Sequence, residues 1–230
     1  MKIIASDFDG TLLIRNKLRE GDLRSIKSFQ DRGNLFGIVT GRSFHSLNKL
    51  IEGKLSPDFV IANNGSHILI RNEKAMTELV KFTLDKTKVA RLINFYKPYF
   101  PIKIFTDKSR SLDRLDEIID REEILALAIY SDKNLDNPFD EDFSFHKSIG
   151  VIDVINKQVS KKTGIEFIKD FYGYDKEIYS IGDDLNDISF LEASRLSFTL
   201  NSVSEEEVLK VSNYKVENIE ELIENIEKWT

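Results

Sequence analysis

The chain has 230 residues, 41% hydrophobic and 31% charged, with 16 Phe to fill a core, so one full core plus a modest insertion fits and a disordered chain is excluded. The 33 Lys and Arg against 39 Asp and Glu give a net charge of -6 spread along the chain, which argues against nucleic acid as the main partner. Cysteine is absent, which removes disulfides, thiolate metal sites and cysteine nucleophiles. Met1–Ser6 is too short for the apolar region of a signal peptide, and no apolar run approaches the roughly 18 residues of a membrane span, so a cytoplasmic protein without a membrane partner is expected.

Ile3-Ile4-Ala5 reads as a short buried strand, and Asp7-Phe8-Asp9-Gly10-Thr11 as the loop at its carboxyl end. From Asp22, Leu23, Ile26 and Phe29 recur at helical spacing until Gly33, and Leu35 to Val39 forms a second buried strand that ends at Thr40-Gly41-Arg42. Ser43 can cap a helix through Leu47, Leu50 and Ile51, and Asp58 to Ala62 makes a third strand before the turn Asn63-Asn64-Gly65. Helices alternating with apolar strands imply a parallel sheet. From about Met76 to Ile155 the rhythm changes, with strand-like Ile102–Phe105, Leu125–Tyr130 and Val151–Ile155 and an amphipathic stretch over Val89–Tyr96, as in an inserted α+β domain. From Ser160 the first pattern resumes: a helix to Phe171, a strand Glu177–Ile181, the loop Gly182-Asp183-Asp184-Leu185-Asn186-Asp187 and a helix to Ala193. A strand near Leu196–Leu200 and an acidic amphipathic helix from Ile219 to Trp229 close the chain, without repeats or low-complexity tracts.

In an open parallel sheet, ligands bind at the carboxyl ends of the strands, and four of these ends carry Asp7 and Asp9, Thr40, Asn63 and Asn64, and Asp183 and Asp187. Carboxylates gathered so closely repel one another unless a divalent cation sits among them, and hard oxygen donors without His or Cys favour Mg²⁺ over Zn²⁺. A small octahedral ion held by a few carboxylates commonly completes its shell with a substrate phosphate oxygen, which points to phosphate chemistry.

Asp7-Phe8-Asp9-Gly10-Thr11, Thr40-Gly41-Arg42, Ser160-Lys161 and Gly182-Asp183-Asp184-Leu185-Asn186-Asp187 resemble, in order, the four motifs of the haloacid dehalogenase superfamily. The first, second and last of them, with Asn64-Gly65, are similar to the Cof-type and sucrose-phosphatase-like branch. The resemblance implies an α/β fold: a Rossmann-like parallel-sheet core with helices on both faces, formed by residues 1–75 and 156–230, and an inserted smaller α+β cap over 76–155 that sets substrate specificity. It also implies a Mg²⁺-dependent phosphatase acting on a small phosphorylated metabolite, a sugar phosphate or a phosphoglycolate-like acid, through an aspartyl-phosphate.

Carried over residue by residue, the resemblance makes Asp7 the nucleophile and Asp9 the acid/base. Mg²⁺ falls to the Asp7 carboxylate, the Asp9 backbone carbonyl and Asp183, with Asp187 as a further ligand, direct or through water, or as an orienting group. Gly10 allows close backbone approach, and Thr40, Gly41, Arg42, Lys161 and Asn186 are the expected substrate-binding residues. Lys161-Lys162 stands where the family commonly has Lys-Gly, which leaves Lys162 as an alternative phosphate ligand. Asp184-Leu185 and Phe198-Thr199-Leu200-Asn201 are further departures from its pattern.

Each motif alone reads as an ordinary polar turn, and Arg42 serves a salt bridge within the fold as readily as a substrate. His45, His67 and His146 lack metal-like spacing and read as structural or exposed, and the group Phe95, Tyr96, Tyr99 and Phe100 reads as cap core. Arg110, Arg114 and Lys133 are weak candidates for substrate contacts in the cap. Two rival functions stay open: a phosphomutase that uses the same Asp7 intermediate, and a non-catalytic protein that senses Mg²⁺ or a metabolite.

Overall fold

A computed structural model describes residues 1–228 apart from 74, 109, 149 and 174–176. The chain opens with β1 (Lys2–Asp7), a small hairpin of β2 (Leu13–Ile14) and β3 (Lys17–Leu18), α1 (Glu20–Asp31), β4 (Leu35–Val39), α2 (Phe44–Ile51), β5 (Phe59–Ala62), β6 (His67–Asn72) and β7 (Ala75–Lys81). It continues through α3 (Lys86–Tyr96), β8 (Ile102–Thr106), β9 (Ser111–Leu112), β10 (Ile124–Tyr130), β11 (Phe143–Ser148) and β12 (Val151–Asn156). The last third holds α4 (Lys161–Tyr172), β13 (Glu177–Ile181), α5 (Ile188–Glu192), β14 (Leu196–Leu200), α6 (Glu206–Val211), β15 (Tyr214–Val216) and α7 (Ile219–Lys228).

An eight-stranded sheet runs in the order β15-β14-β13-β1-β4-β5-β6-β7, parallel from β15 to β5 and antiparallel at β6 and β7. β1 is central, and its Ile3, Ile4 and Ala5 are fully buried, the continuous apolar run of a strand covered by helices on both sides. One face packs on α1, α2 and α7 through Ile26, Phe29, Leu47 and Leu222. The other packs on α4, α5 and α6 through Ile165, Ile168, Phe190 and Val208. Sheet order reverses at β1, because β4 and β5 extend it to one side and β13 to β15 to the other. That reversal opens a crevice at the carboxyl ends of β1, β4 and β13.

The second sheet, β11-β12-β10-β8-β9, is antiparallel throughout and packs one face on α3 around Val89, Leu92, Leu127 and Val154. Its other face carries Phe105, Ala128, Tyr130 and Asp153 toward the crevice. The expected insertion therefore starts too early at residue 76: β7 pairs antiparallel with β6 and belongs to the eight-stranded sheet. β7 is half-exposed along most of its length, an edge strand whose periodicity cannot reveal which sheet it joins. Likewise β11, with one polar face, and the three-residue β15 have patterns too weak or too short to read in advance.

The aromatic group expected as cap core divides. Tyr96 is 4% exposed and Phe100 packs against the cap core, whereas Phe95, off the one stripe of α3 that faces the sheet, and Tyr99, beyond the end of that helix, are 53% and 76% exposed. Trp229, expected at the end of the last helix, lies outside the described residues. Among the described residues no helix is long and apolar enough to cross a membrane.

Candidate active site

Asp7 is the last residue of β1, and the chain turns sharply after it. Phe8 is fully buried and anchors the turn; its carbonyl accepts from the amides of Leu12 and Leu13 at 3.1 and 2.7 Å. Successive side chains thus point alternately, with Asp7 and Asp9 in the crevice and Phe8 in the core. Gly10 has φ +90°, and a Cβ there would lie 2.1 Å from Asp183 Oδ2, so both the backbone and the space demand glycine. Thr11 donates its hydroxyl to Asp183 Oδ1 and orients that carboxylate.

Lys161, at the first turn of α4 behind the Ser160 cap, is 2% exposed. Its Nζ donates to Asp7 Oδ1 at 2.7 Å, Asp187 Oδ1 at 2.5 Å and Asn186 Oδ1 at 3.3 Å. Lys162 is exposed on the next helical position. Asp187 is fully buried, and its Oδ2 accepts from the amides of Asp183 and Asp184, each at 3.0 Å. With Lys161 on its Oδ1, Asp187 is already engaged on both oxygens, the arrangement of an orienting group.

Carboxylate oxygens of Asp7, Asp183 and Asp187 lie within 4.8 Å of one another. Three carboxylates against one ammonium leave two uncompensated negative charges in a largely buried place. Burial, then Asp187, hold the Asp7 carboxyl well above its ordinary range although Lys161 pulls it down. Burial also pushes Asp183 up to about 6, with Asp187 adding to the rise. For Lys161 burial acts downward, but Asp187 and Asp7 outweigh it and the ammonium is held firmly protonated. The excess of two charges, carried by hard oxygen donors, fits a divalent cation such as Mg²⁺.

The Asp9 side chain stands outside this cluster. Arg42 grips it with Nε to Oδ2 at 2.6 Å and Nη2 to Oδ1 at 2.7 Å, a bidentate pair over the Phe8 ring. Thr40, 1% exposed, accepts from the Arg42 amide through its hydroxyl oxygen, so the hydroxyl hydrogen remains to donate.

These groups line one cavity of about 870 Å³, which takes in Asp7, Asp9, Gly10, Thr40, Gly41 and Arg42. Lys161, Asp183 and Asn186 complete its core side, while buried Asp187 lies behind them. Arg110, Arg114 and Lys133 do not line it: Arg110 is paired with Glu122 and Arg114 with Asp116. His67 is buried against Glu78, His45 is exposed and His146 is half-buried. Missing from the expected site are Thr11 and the cap residues Phe105, Tyr130, Ser148 and Asp153. Asp153 left one readable signal, a lone acid inside the apolar strand Val151–Ile155.

The profile of the haloacid dehalogenase-like hydrolases matches residues 4–117 and 103–222. The chain belongs to this family. A protein named putative phosphatase from Buchnera aphidicola is 27% identical over 225 residues, covering 84% of this chain and 83% of its own. The 5-amino-6-(5-phospho-D-ribitylamino)uracil phosphatase of Bacillus subtilis is 24% identical over 214 residues, covering 89% of this chain and 86% of its own. Among solved structures, a superfamily phosphatase from Bacteroides thetaiotaomicron superposes with a TM-score of 0.82 at 21% identity, covering 100% of this chain and 95% of the other. A subclass IIB sugar phosphatase superposes with a TM-score of 0.80 at 19% identity, covering 100% and 99%. The family and the α/β architecture expected from the motifs are therefore both borne out, and the enzyme class expected, a phosphatase, agrees with the names of these relatives.

Proposed function

We propose that this haloacid dehalogenase-like hydrolase is a Mg²⁺-dependent phosphomonoesterase that cleaves a small phosphorylated metabolite, a sugar phosphate or a phosphoglycolate-like ester, through an aspartyl-phosphate on Asp7. The observation that carries this reading is the largely buried Asp7–Asp183–Asp187 cluster, with Lys161 its single counter-ion among the described residues, and its place at the bottom of a cavity walled by the second sheet. Asp7, Asp183 and the Asp9 carbonyl would hold the metal, with Asp187 orienting; the metal's contribution is to neutralise the repulsion between the substrate phosphate and these acids.

Lys161 occupies Asp7 Oδ1, so Oδ2 is the oxygen free to attack phosphorus. As the Oδ2–P bond forms, the ester P–O bond breaks and the leaving oxygen takes a proton from Asp9. Asp9 then removes a proton from water, the water oxygen bonds to phosphorus, the Asp7–phosphorus bond breaks, and inorganic phosphate leaves. The Thr40 hydroxyl, Lys161 and the backbone around Gly10 and Gly41 stabilise the charge on the transferring phosphoryl group, and Asn186 holds Lys161 in position. Arg42 must release Asp9 for that acid/base work, which an entering phosphate can promote by drawing the guanidinium to itself. In this reading the core is formed by residues 1–82 and 157–228, and residues 83–156 form the cap that selects the leaving group.

Phosphate release from a generic aryl phosphate, with and without Mg²⁺, tests the proposal. Release that needs Mg²⁺ and vanishes in Asp7→Asn supports it. Activity surviving in pure, folded Asp7→Asn removes Asp7 as the nucleophile, and substrate consumption without phosphate release favours a mutase.

A further inference from the structure

We propose that Asp153 is a specificity-determining residue, through which the cap wall accepts a leaving group bearing hydroxyls or an amine and rejects one carrying a second anion. The proposal rests on the phosphatase reading of the same cavity and decides between the two ester classes that reading leaves open.

Asp153 sits in the middle of β12, facing away from the cap core and into the cavity. Asn64, itself 1% exposed, donates Nδ2 to Asp153 Oδ2 at 2.8 Å and fixes the carboxylate over the phosphate-side loop. A Cβ at Gly41 would lie 2.9 Å from the same oxygen, which brings Asp153 directly above Thr40-Gly41. Among the described residues nothing donates to Asp153 Oδ1, so the half-buried acid, pushed up to about 6 chiefly by desolvation, lacks a second donor. A hydroxyl or ammonium of the leaving group supplies what is missing.

No described cation answers a second anion there. The wall consists of Phe105, Ala128, Tyr130, Ser148, Val151 and Asp153. Lys103, whose backbone pairs with Ala128, is tied to Asp113 at 2.8 Å and does not line the cavity. His146, cross-strand partner of Asp153, is held below its ordinary pKa by burial and by Lys161, and is neutral at pH 7. Of the two cations that line the cavity, Lys161 is held by Asp7 and Asp187, and Arg42 by Asp9 or, once substrate enters, by the phosphate being transferred, so neither is left for a second anion. A leaving group with a carboxylate or second phosphate would meet Asp153 as a like charge in a partly desolvated place.

The test uses matched pairs: glucose 6-phosphate against 6-phosphogluconate, and glycerol 3-phosphate against 3-phosphoglycerate. In the native chain kcat/KM is expected to favour the neutral partner of each pair by about tenfold or more. Asp153→Asn, and Asp153→Ser as a second variant, are expected to shrink that ratio by about fivefold, mostly through gain on the acid. A native chain that takes the acids equally well, or folded variants with the native ratio, would overturn the assignment. The same pairs titrated calorimetrically into Asp7→Asn with Mg²⁺ read the preference without turnover. If an aryl phosphate is not hydrolysed the phosphatase reading falls, and binding still decides the role of Asp153. If it is hydrolysed and neither arm shows the preference, Asp153 alone falls.

Discussion

Lys161→Met removes the only ammonium that the described residues bring to the acid cluster, while nearly conserving side-chain volume. In the native chain the group is 2% exposed and lies 2.7 Å from Asp7 and 2.5 Å from Asp187, so two buried carboxylates lose their shared counter-ion at once. Breaking a buried pair from one side costs about 3–5 kcal/mol, because the remaining charge is left uncompensated. At about 2–4 °C per kcal/mol for a chain of this size, the melting temperature should fall by about 6–20 °C at neutral pH without Mg²⁺. The pH dependence has a definite sign. The pKa of Lys161 is raised in the folded state, so its own contribution is complete at every pH below the ordinary lysine value. What changes as pH falls is its partner. Asp7, held well above its ordinary range by burial and by Asp187, takes up a proton as pH falls and no longer needs the ammonium. The loss in Lys161→Met should therefore shrink toward pH 5 and be partly restored by Mg²⁺ at pH 7.5. Thermal and urea unfolding of both proteins at these two pH values, with and without Mg²⁺, gives the answer. A variant that melts within about 2 °C of the native chain at pH 7.5 without Mg²⁺ would refute the idea that an uncompensated buried cluster surrounds Asp7.

Mg²⁺ affinity measured by calorimetry should rise from pH 5 to pH 7, because protons compete for an Asp183 carboxyl whose pKa burial lifts to about 6 and for Asp7, raised in the same direction. An affinity flat across that range would remove these acids from the metal site. Gly10→Ala forces a side chain into φ +90° and against Asp183, so it should cost about 1–3 kcal/mol in urea unfolding and weaken Mg²⁺ binding; unchanged stability and affinity would mean the loop relaxes freely. Arg42→Gln breaks a partly exposed pair with Asp9, and its stability should stay within about 1 kcal/mol of native. Its kcat/KM for an aryl phosphate should drop, and a kcat/KM at the native level would deny Arg42 a role with substrate.

Strong, uniform patterns made much of the site legible in advance. β1, β4, β5 and β13 are buried on both faces and read as apolar runs, and the polar loops at their ends carry the residues that meet in the crevice. Asp7, Asp9, Gly10, Thr40, Arg42, Lys161 and Asp183 all line the same cavity for that reason. Lys161 and Lys162 could not be separated by sequence, because their difference is a matter of helix phase: one turns under the sheet edge and the other into solvent. The cap was harder to read. Which face of β10 or β12 looks into the cavity depends on strand register and on the packing of α3 against the opposite face, neither of which is local. Asp153 escaped notice because its partner Asn64 is 89 residues away. The start of the insertion is hidden for a similar reason, since the pairing of β7 with β6 leaves no mark on the alternation of β7 itself.

The central claim is a covalent phosphate on Asp7, and chemical trapping reads it most directly. The native chain is mixed with excess substrate and Mg²⁺, quenched within a turnover, reduced with borohydride and digested for tandem mass spectrometry. An acyl phosphate on Asp7 is predicted to leave a reduced, alcohol-bearing side chain at position 7 that is absent without substrate. Rapid turnover with an unmodified Asp7, or with the reduced group at another carboxylate, would contradict the account.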